Sequence, residues 1–337
     1  MATLVMAALA GSSRGRRKED WVAVADHQQS ILTTAVHPQP QSRATGLQLV
    51  ECGGFHVYLG QQSDYFDLAY RCVEENKKTL ILNHNLHSLY LYMKDERLKH
   101  IYLRSVVMVD GTGILLLLRL HGYKAHFENR MAWLDFIWPF LCFANRRRLR
   151  IYWIGNSPEV NAQGIARIRS VLPGLSIDGH HGYFDQTPGS DASMQVVESI
   201  NAFQADACIV GMGSPIQEYW MDHHQQWIAA PVMFSAGACL EYIAGVASTP
   251  PRFLGPLGLE WAYRLLSHPR RFAFRYLVEP WHVAWEIGKH DWARVALGKS
   301  LRDCAEPIHV GAGPDLAILR KEKTQLSDPD RRLEWPE

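Results

Sequence analysis

Residues 105–114 read Ser-Val-Val-Met-Val-Asp-Gly-Thr-Gly-Ile: four consecutive apolar residues, Val106 to Val109, end on Asp110 and are followed by Gly111-Thr112-Gly113. A run that short, apolar throughout and stopped by glycine, suits a strand buried on both faces, as in a parallel sheet. The polar residue at its carboxyl end then falls where α/β proteins present their chemistry. Two readings of Asp110 follow from the spacing alone, a ligand-facing carboxylate or an N-cap for the helix that begins after the glycine turn.

The same signature recurs outward from this segment. Thr79-Leu80-Ile81-Leu82, Leu149-Arg150-Ile151-Tyr152-Trp153-Ile154, Ala207-Cys208-Ile209-Val210 and Val232-Met233-Phe234 are further short apolar runs. Between them, Ser157-Pro158-Glu159 opens a helical pattern (Val160, Ile165, Ile168, Val171) that Pro173-Gly174 closes, and a second helix fits 192–203. Strand, helix, strand repetition predicts an α/β fold with a Rossmann-like, doubly wound parallel-sheet core over residues 46–250. Residues 1–45, rich in Ser, Arg and Gln without a period, read as a disordered leader. After Pro250-Pro251 the composition shifts to Trp, Arg, Leu and Tyr at helical spacing, predicting a helical appendage over 251–305, and 306–337 reads as a loose polar tail.

Composition narrows the function classes. With 337 residues and 47% hydrophobic content the chain can bury a large core, and 35 Lys+Arg against 34 Asp+Glu give no field for general nucleic-acid binding. Six scattered cysteines without a CxxC pair suit reduced thiols, so no disulfides are expected. The apolar stretch 131–144, interrupted by Asp135 and Pro139, is short of the roughly 20 residues a membrane-spanning helix needs. The basic cluster at 14–18 follows the short apolar stretch near the start, the reverse of an export signal.

Several polar residues join Asp110 as candidates. Asn83 ends the run from Thr79, where an amide can donate to and accept from a sugar. Arg119 lies on the helix after Asp110. Gly211-Met212-Gly213-Ser214-Pro215-Ile216-Gln217-Glu218 offers two glycines that let backbone N–H groups approach a ligand between a strand and a helix. In the appendage, Arg264 is followed by Arg271 and Arg275, the last two at i, i+4 on one helix face, and guanidinium groups grip phosphate bidentately. Trp281, Trp285 and Trp292 also share a helix face and fit either a membrane interface or packing on the core. The paired histidines His180-His181 and His223-His224 lack a third ligand for zinc, and Asp328-Pro329-Asp330 lies in the polar tail, so no metal site is expected.

In order along the chain, Asn83, Asp110-Gly111, Gly182-Tyr183-Phe184, Gly211-x-Gly213-x-Pro215-x-Gln217-Glu218 and Arg264 with Arg271 resemble the WecG/TagA/CpsF family of glycosyltransferases over roughly residues 75–285. The resemblance implies an inverting transferase that moves an N-acetylmannosamine-type sugar or a hexose from a UDP-sugar donor to a polyprenyl-diphosphate-linked glycan acceptor in cell-surface polysaccharide synthesis. It implies no cofactor and no metal, and a site in which Asp110 is the catalytic base and Gln217 a second catalytic residue. Asn83, Arg119, Gly211, Gly213, Pro215, Glu218, Arg264, Arg271 and Arg275 would bind substrate. It also implies work at the cytoplasmic face of the plasma membrane as a peripheral protein, and leaves a homo-oligomer open. Four departures from the family pattern bear on the donor more than on the chemistry: Trp133 where a glycine is usual, Glu241 in place of Asp, Thr249 in place of Arg, and Phe274 in place of an appendage Arg. A non-catalytic sugar-nucleotide-binding or assembly protein is the rival reading. A nicotinamide-dependent oxidoreductase lacks its glycine fingerprint, since no GxGxxG follows the early strands.

Overall fold

Strands β1 (Gln48–Cys52) and β2 (Phe55–Leu59) open the described chain as an antiparallel hairpin about Gly53-Gly54. The computed structural model describes residues 46–251, 254–255, 258–296 and 308–309, without the side chains of Arg271, Arg294, Ile308 and His309. The leader, Cys304, the Asp328-Pro329-Asp330 motif and all of the tail except 308–309 lie outside the described residues.

After the hairpin come α1 (Gln62–Glu74), β3 (Thr79–His84), α2 (Leu86–Lys94), α3 (Glu96–Leu103), β4 (Val106–Val109), α4 (Thr112–Leu120) and α5 (Trp133–Arg147). The chain continues through β5 (Ile151–Gly155), α6 (Pro158–Val171), β6 (Ile177–His180), α7 (Asp191–Phe203), β7 (Ala207–Gly211), α8 (Ile216–His224), β8 (Val232–Ser235) and α9 (Cys239–Ala244). The appendage consists of α10 (Glu260–Ser267), α11 (Pro269–Leu277) and α12 (Glu279–Ala296). Within the stretch read as a loose tail, β9 (Ile308–His309) pairs antiparallel with β1.

The central sheet has six strands in the order β4-β3-β8-β7-β5-β6, and every pairing in it is parallel. This is the α/β, Rossmann-like core the apolar runs predict. Both faces are buried, which is why the strands are apolar throughout instead of alternating. Ile81, Met108, Trp153, Ile209 and Phe234 face one core, against α1, α5, α6 and α9. Leu82, Val107, Val109, Ile154 and Val210 face the other, against the hairpin, α2, α3, α4, α7, α8 and the inner side of α12.

Local signals explain the helix limits. Ser157 caps α6 by accepting from the Val160 N–H, with Pro158 in the first turn, and Ser190 caps α7 in the same way. Strand β6 was not anticipated, because Ile177-Asp178-Gly179-His180 has one apolar residue and lies at the sheet edge, where only part of it is covered. Among the described residues no helix is long and apolar enough to cross a membrane.

Candidate functional site

The carboxyl ends of β3, β4, β7 and β8 deliver polar residues to one edge of the sheet. Asp110 follows β4 directly, its N–H donating to the His84 carbonyl at the end of β3 (2.8 Å). The helix N-cap is Gly111, at φ +92°, a conformation that favours glycine, and Asp110 therefore does not cap α4. Its carboxylate turns sideways along the sheet edge instead. Oδ2 accepts from the side-chain amides of Asn83 and Asn85, both at 3.2 Å, while Oδ1 accepts no hydrogen bond among the described residues. Asn83 is itself oriented by the Ser235 hydroxyl, which donates to Asn83 Oδ1 (2.8 Å) from the end of β8.

Burial pushes the Asp110 carboxyl above the usual carboxylate range; the Asn85 amide and then Arg264 and Arg130 pull it back, and Glu260 adds to the rise. A carboxylate raised in this way, with one oxygen held by two side-chain amides, is equipped to take a proton through the other. Asn85 is a site residue the sequence reading missed. Its position two residues after Asn83, on the same side of an extended chain, was the available signal.

Appendage arginines approach from across the edge. Arg264, in the last turn of α10, lies within electrostatic reach of Asp110, and its Nε is buried with no acceptor among the described residues. Arg275, in the last turn of α11, donates to Asn85 Oδ1 at 3.5 Å. Burial, and with it Arg264, disfavours the Arg275 charge, while Tyr276, Glu279 and Asp110 favour it. Arg271 lies on α11, but its side chain is outside the described residues. The segment that carries Arg264 is held down by Glu260, which accepts from Arg130 Nη1 (2.9 Å) while Arg130 Nη2 donates to Asp135 (2.9 Å). Arg130 is thereby the link between the core and α10.

The glycine-rich segment is arranged differently from its expected role. Gly211 ends β7, Gly213 adopts φ +86° with open space where a side chain would project, and Pro215 precedes α8. Gln217 does not reach outward. Its side-chain oxygen accepts from the Gly213 and Gly237 N–H groups (3.2 and 3.1 Å), and its nitrogen donates to Glu218 Oε1 (2.9 Å) and Ser214 Oγ (3.3 Å). Both ends of the amide are thus engaged by protein, and Gln217 stitches the β7–α8 turn to the β8–α9 turn. Glu218 is buried beneath it, accepting from Ser214 Oγ (2.8 Å), and burial pushes its carboxyl up against the opposing Gln217 and Ser214 hydrogen bonds. These two residues support the loop, where the sequence reading had them touching substrate.

Arg119 stands apart from this cluster. It sits exposed in the last turn of α4, nine residues and about 13 Å of helix rise beyond Asp110, with Nε donating to the Ala125 carbonyl (2.6 Å). The Trp133 ring packs edge-on to Phe136 and Phe234 inside the core. Glu241 accepts from Asn156 (3.4 Å), and Phe274 is exposed beside Tyr90. Trp220 is fully buried and donates to Ser193.

Residues 50–296 match the family described as the Glycosyl transferase WecG/TagA/CpsF family. The chain is also similar to curated proteins of Staphylococcus aureus named N-acetylglucosaminyldiphosphoundecaprenol N-acetyl-beta-D-mannosaminyltransferase. It is 28% identical to the one from strain MRSA252 over 58% of this chain and 79% of that protein, and 27% identical to the one from strain MW2 over the same shares.

Proposed function

Because this chain belongs to the WecG/TagA/CpsF family and is a glycosyltransferase, we propose that it transfers a sugar from a UDP-sugar to a polyprenyl-diphosphate-linked glycan with inversion at the anomeric carbon. The observation that carries the reading is the Asp110 carboxylate, clamped on one oxygen by Asn83 and Asn85 and faced by Arg264 and Arg275. Asp110 Oδ1 takes the proton of the acceptor hydroxyl as that oxygen bonds to the anomeric carbon. The bond from that carbon to the UDP oxygen breaks on the opposite side. Arg264 and Arg275, with Arg271, neutralise the charge that collects on the departing diphosphate, and the unpartnered Arg264 Nε is a donor ready for one of its oxygens. Gln217 and Glu218 act at one remove, holding the glycine turns of residues 211–213 and Gly237 in place around the nucleotide.

The relatives' names describe an N-acetylmannosaminyl donor group and an N-acetylglucosaminyl-diphosphoundecaprenol acceptor. An acceptor of that class is the natural candidate here, while the departures at Glu241, Thr249 and Phe274 leave a hexose donor in the comparison. A lipid-linked acceptor brings the enzyme to a membrane surface, at the inner face of the plasma membrane where UDP-sugars are made. On α12, Trp281, Trp285 and Trp292 are 77%, 67% and 74% exposed, too open to be packing residues. Val283 and Ile287 supply the packing from the opposite side of the helix, leaving the tryptophans as the membrane-facing surface.

The test is acceptor-dependent UDP release from UDP-N-acetylmannosamine, its uronic acid, UDP-glucose, UDP-galactose and UDP-N-acetylglucosamine, offered with polyprenyl-diphosphate-linked N-acetylglucosamine. Release with one donor, lost in Asp110→Asn, is expected. Release that survives Asp110→Asn in folded protein removes Asp110 as the base, and tight UDP binding without release from any donor removes this donor and acceptor set.

A further inference from the structure

The appendage meets the core through carboxylates. Glu260 pairs with Arg130 (2.9 Å), Glu279 with His87 (2.8 Å) and Asp291 with His121 (2.8 Å), and in each pair the acid lies on the appendage and the base on the core. The middle pair differs from the others in its burial and its neighbours. The Glu279 side chain is only 4% exposed, and a carboxylate that deep is costly unless a cationic donor meets it. His87 Nδ1 lies within 2.9 and 2.8 Å of its two oxygens.

Four residues before Glu279, across the junction where α11 ends at Leu277 and α12 begins, is Arg275. Two residues before His87, at the start of α2, is Asn85. The two pairs therefore close side by side: Glu279 on His87, and Arg275 Nη2 on Asn85 Oδ1, while Asn85 Nδ2 donates to Asp110 Oδ2. Among the described residues Arg275 makes one hydrogen bond, at 3.5 Å, beside a cation–π contact with Tyr276, and Glu279 is one of the charges that act on it, so its placement is tied to the neighbouring pair.

We infer that Glu279 and His87 are positioning residues for the transfer, a clasp that seats Arg275 over Asn85 and Asp110 and thereby forms the diphosphate-binding side of the site. The inference rests on the reading of Arg275 as a diphosphate ligand, and the clasp itself can be tested without ligand. Removing either partner breaks the pair, and loss of His87 leaves Glu279 buried without its partner, so α11 loosens at its carboxyl end.

The experiment compares the full chain with Glu279→Gln, His87→Gln and the cation-keeping His87→Lys. In ligand-free protein, hydrogen exchange of the α11 amides should quicken in Glu279→Gln and His87→Gln and return toward the parent rate in His87→Lys. With UDP as probe, calorimetry should show affinity falling on the order of 10–100-fold in the two Gln variants, as expected when a charged group is misplaced by about an ångström. In the transfer assay the donor KM should rise with less change in kcat, while the melting temperature and the UDP affinity of His87→Lys stay near the parent. Unchanged α11 exchange overturns the clasp. Faster exchange with unchanged UDP affinity and KM overturns its positioning role and leaves only a structural one. Faster exchange in a protein whose parent form binds no UDP upholds the clasp as a fastening of the appendage and sinks instead the diphosphate reading of Arg275.

Discussion

The sheet edge and the appendage form one site by opposite means. On the sheet edge nearly every polar group is spoken for: Ser235 orients Asn83, Asn83 and Asn85 hold Asp110, and Gln217 closes on two glycine N–H groups and on Glu218. On the appendage, Arg264 keeps a buried donor without an acceptor, Arg275 makes one long hydrogen bond, and the tryptophans of α12 stand in the open. A satisfied network fixes geometry, and an unsatisfied one awaits a partner. On the proposed mechanism the base is therefore built into the sheet, while the groups proposed to meet the nucleotide and the membrane are carried on helices attached by a few ion pairs.

The largest effect should come from breaking the satisfied side at its centre. Asp110→Asn keeps the shape and the amide contacts but removes the proton acceptor, and turnover should fall by about 10²–10⁴ with UDP affinity retained, read by UDP release and calorimetry. The same variant also reads the cost of the buried charge. Because burial raises the folded-state pKa of Asp110, its ionisation opposes folding: the penalty is absent below the unfolded value of about 3.9, develops as pH rises toward the folded pKa and is complete above it. Asp110→Asn should accordingly melt higher than the parent at pH 7 and lose that advantage near pH 3.5. Equal melting at both pH values would mean that Asp110 is not ionised against the grain of its surroundings.

Next in size is the unsatisfied side. Arg264→Ala and Arg275→Ala remove charge that meets the donor's diphosphate, so each should lower kcat/KM on the order of 10²–10³ without lowering the melting temperature. Loss of folding in either variant, or full activity, would erase the contrast between the two halves of the site.

The sheet side was the more legible in the sequence, for the same physical reason. A strand buried on both faces writes itself as an apolar run, and the glycine needed at Gly111 marks where the chain turns; β3, β4, β5, β7 and β8 were all visible, and with them the place of Asp110. The half-covered edge strand β6 left no such mark. Side-chain direction was less legible. Gln217 and Glu218 stand in the correct segment, yet nothing in their spacing tells that both turn inward to brace it. Arg119 lies on the helix that follows Asp110, but nine residues separate the two and its Nε donates to the Ala125 carbonyl instead. The pairs that fasten the appendage lie 130 to 192 residues apart in sequence and depend on tertiary packing that a single chain pattern does not encode.

The bracing role of Gln217 supplies the third test. Gln217→Ala strands the Gly213 and Gly237 N–H groups, which should cost about 1–3 kcal/mol of stability in chemical denaturation, with activity reduced in step with the loosened turns. If instead stability is unchanged and only turnover falls, Gln217 reaches the substrate after all, and the sheet edge is less closed upon itself than its hydrogen bonds indicate.

The smallest catalytic effect belongs to the most exposed residues. Trp281→Ala with Trp285→Ala touches neither the base nor the arginines, so turnover on a short-chain, water-soluble acceptor should not change. Co-sedimentation with anionic vesicles should weaken by about tenfold, the loss expected when an aromatic anchor of 1.5–3 kcal/mol is only partly inserted. Undiminished vesicle binding would separate the aromatic face from the membrane and leave the chain's second half to dock by other means. Weakened vesicle binding together with lost turnover on the soluble acceptor would instead show that α12 is coupled to the site through more than the contacts at its amino end.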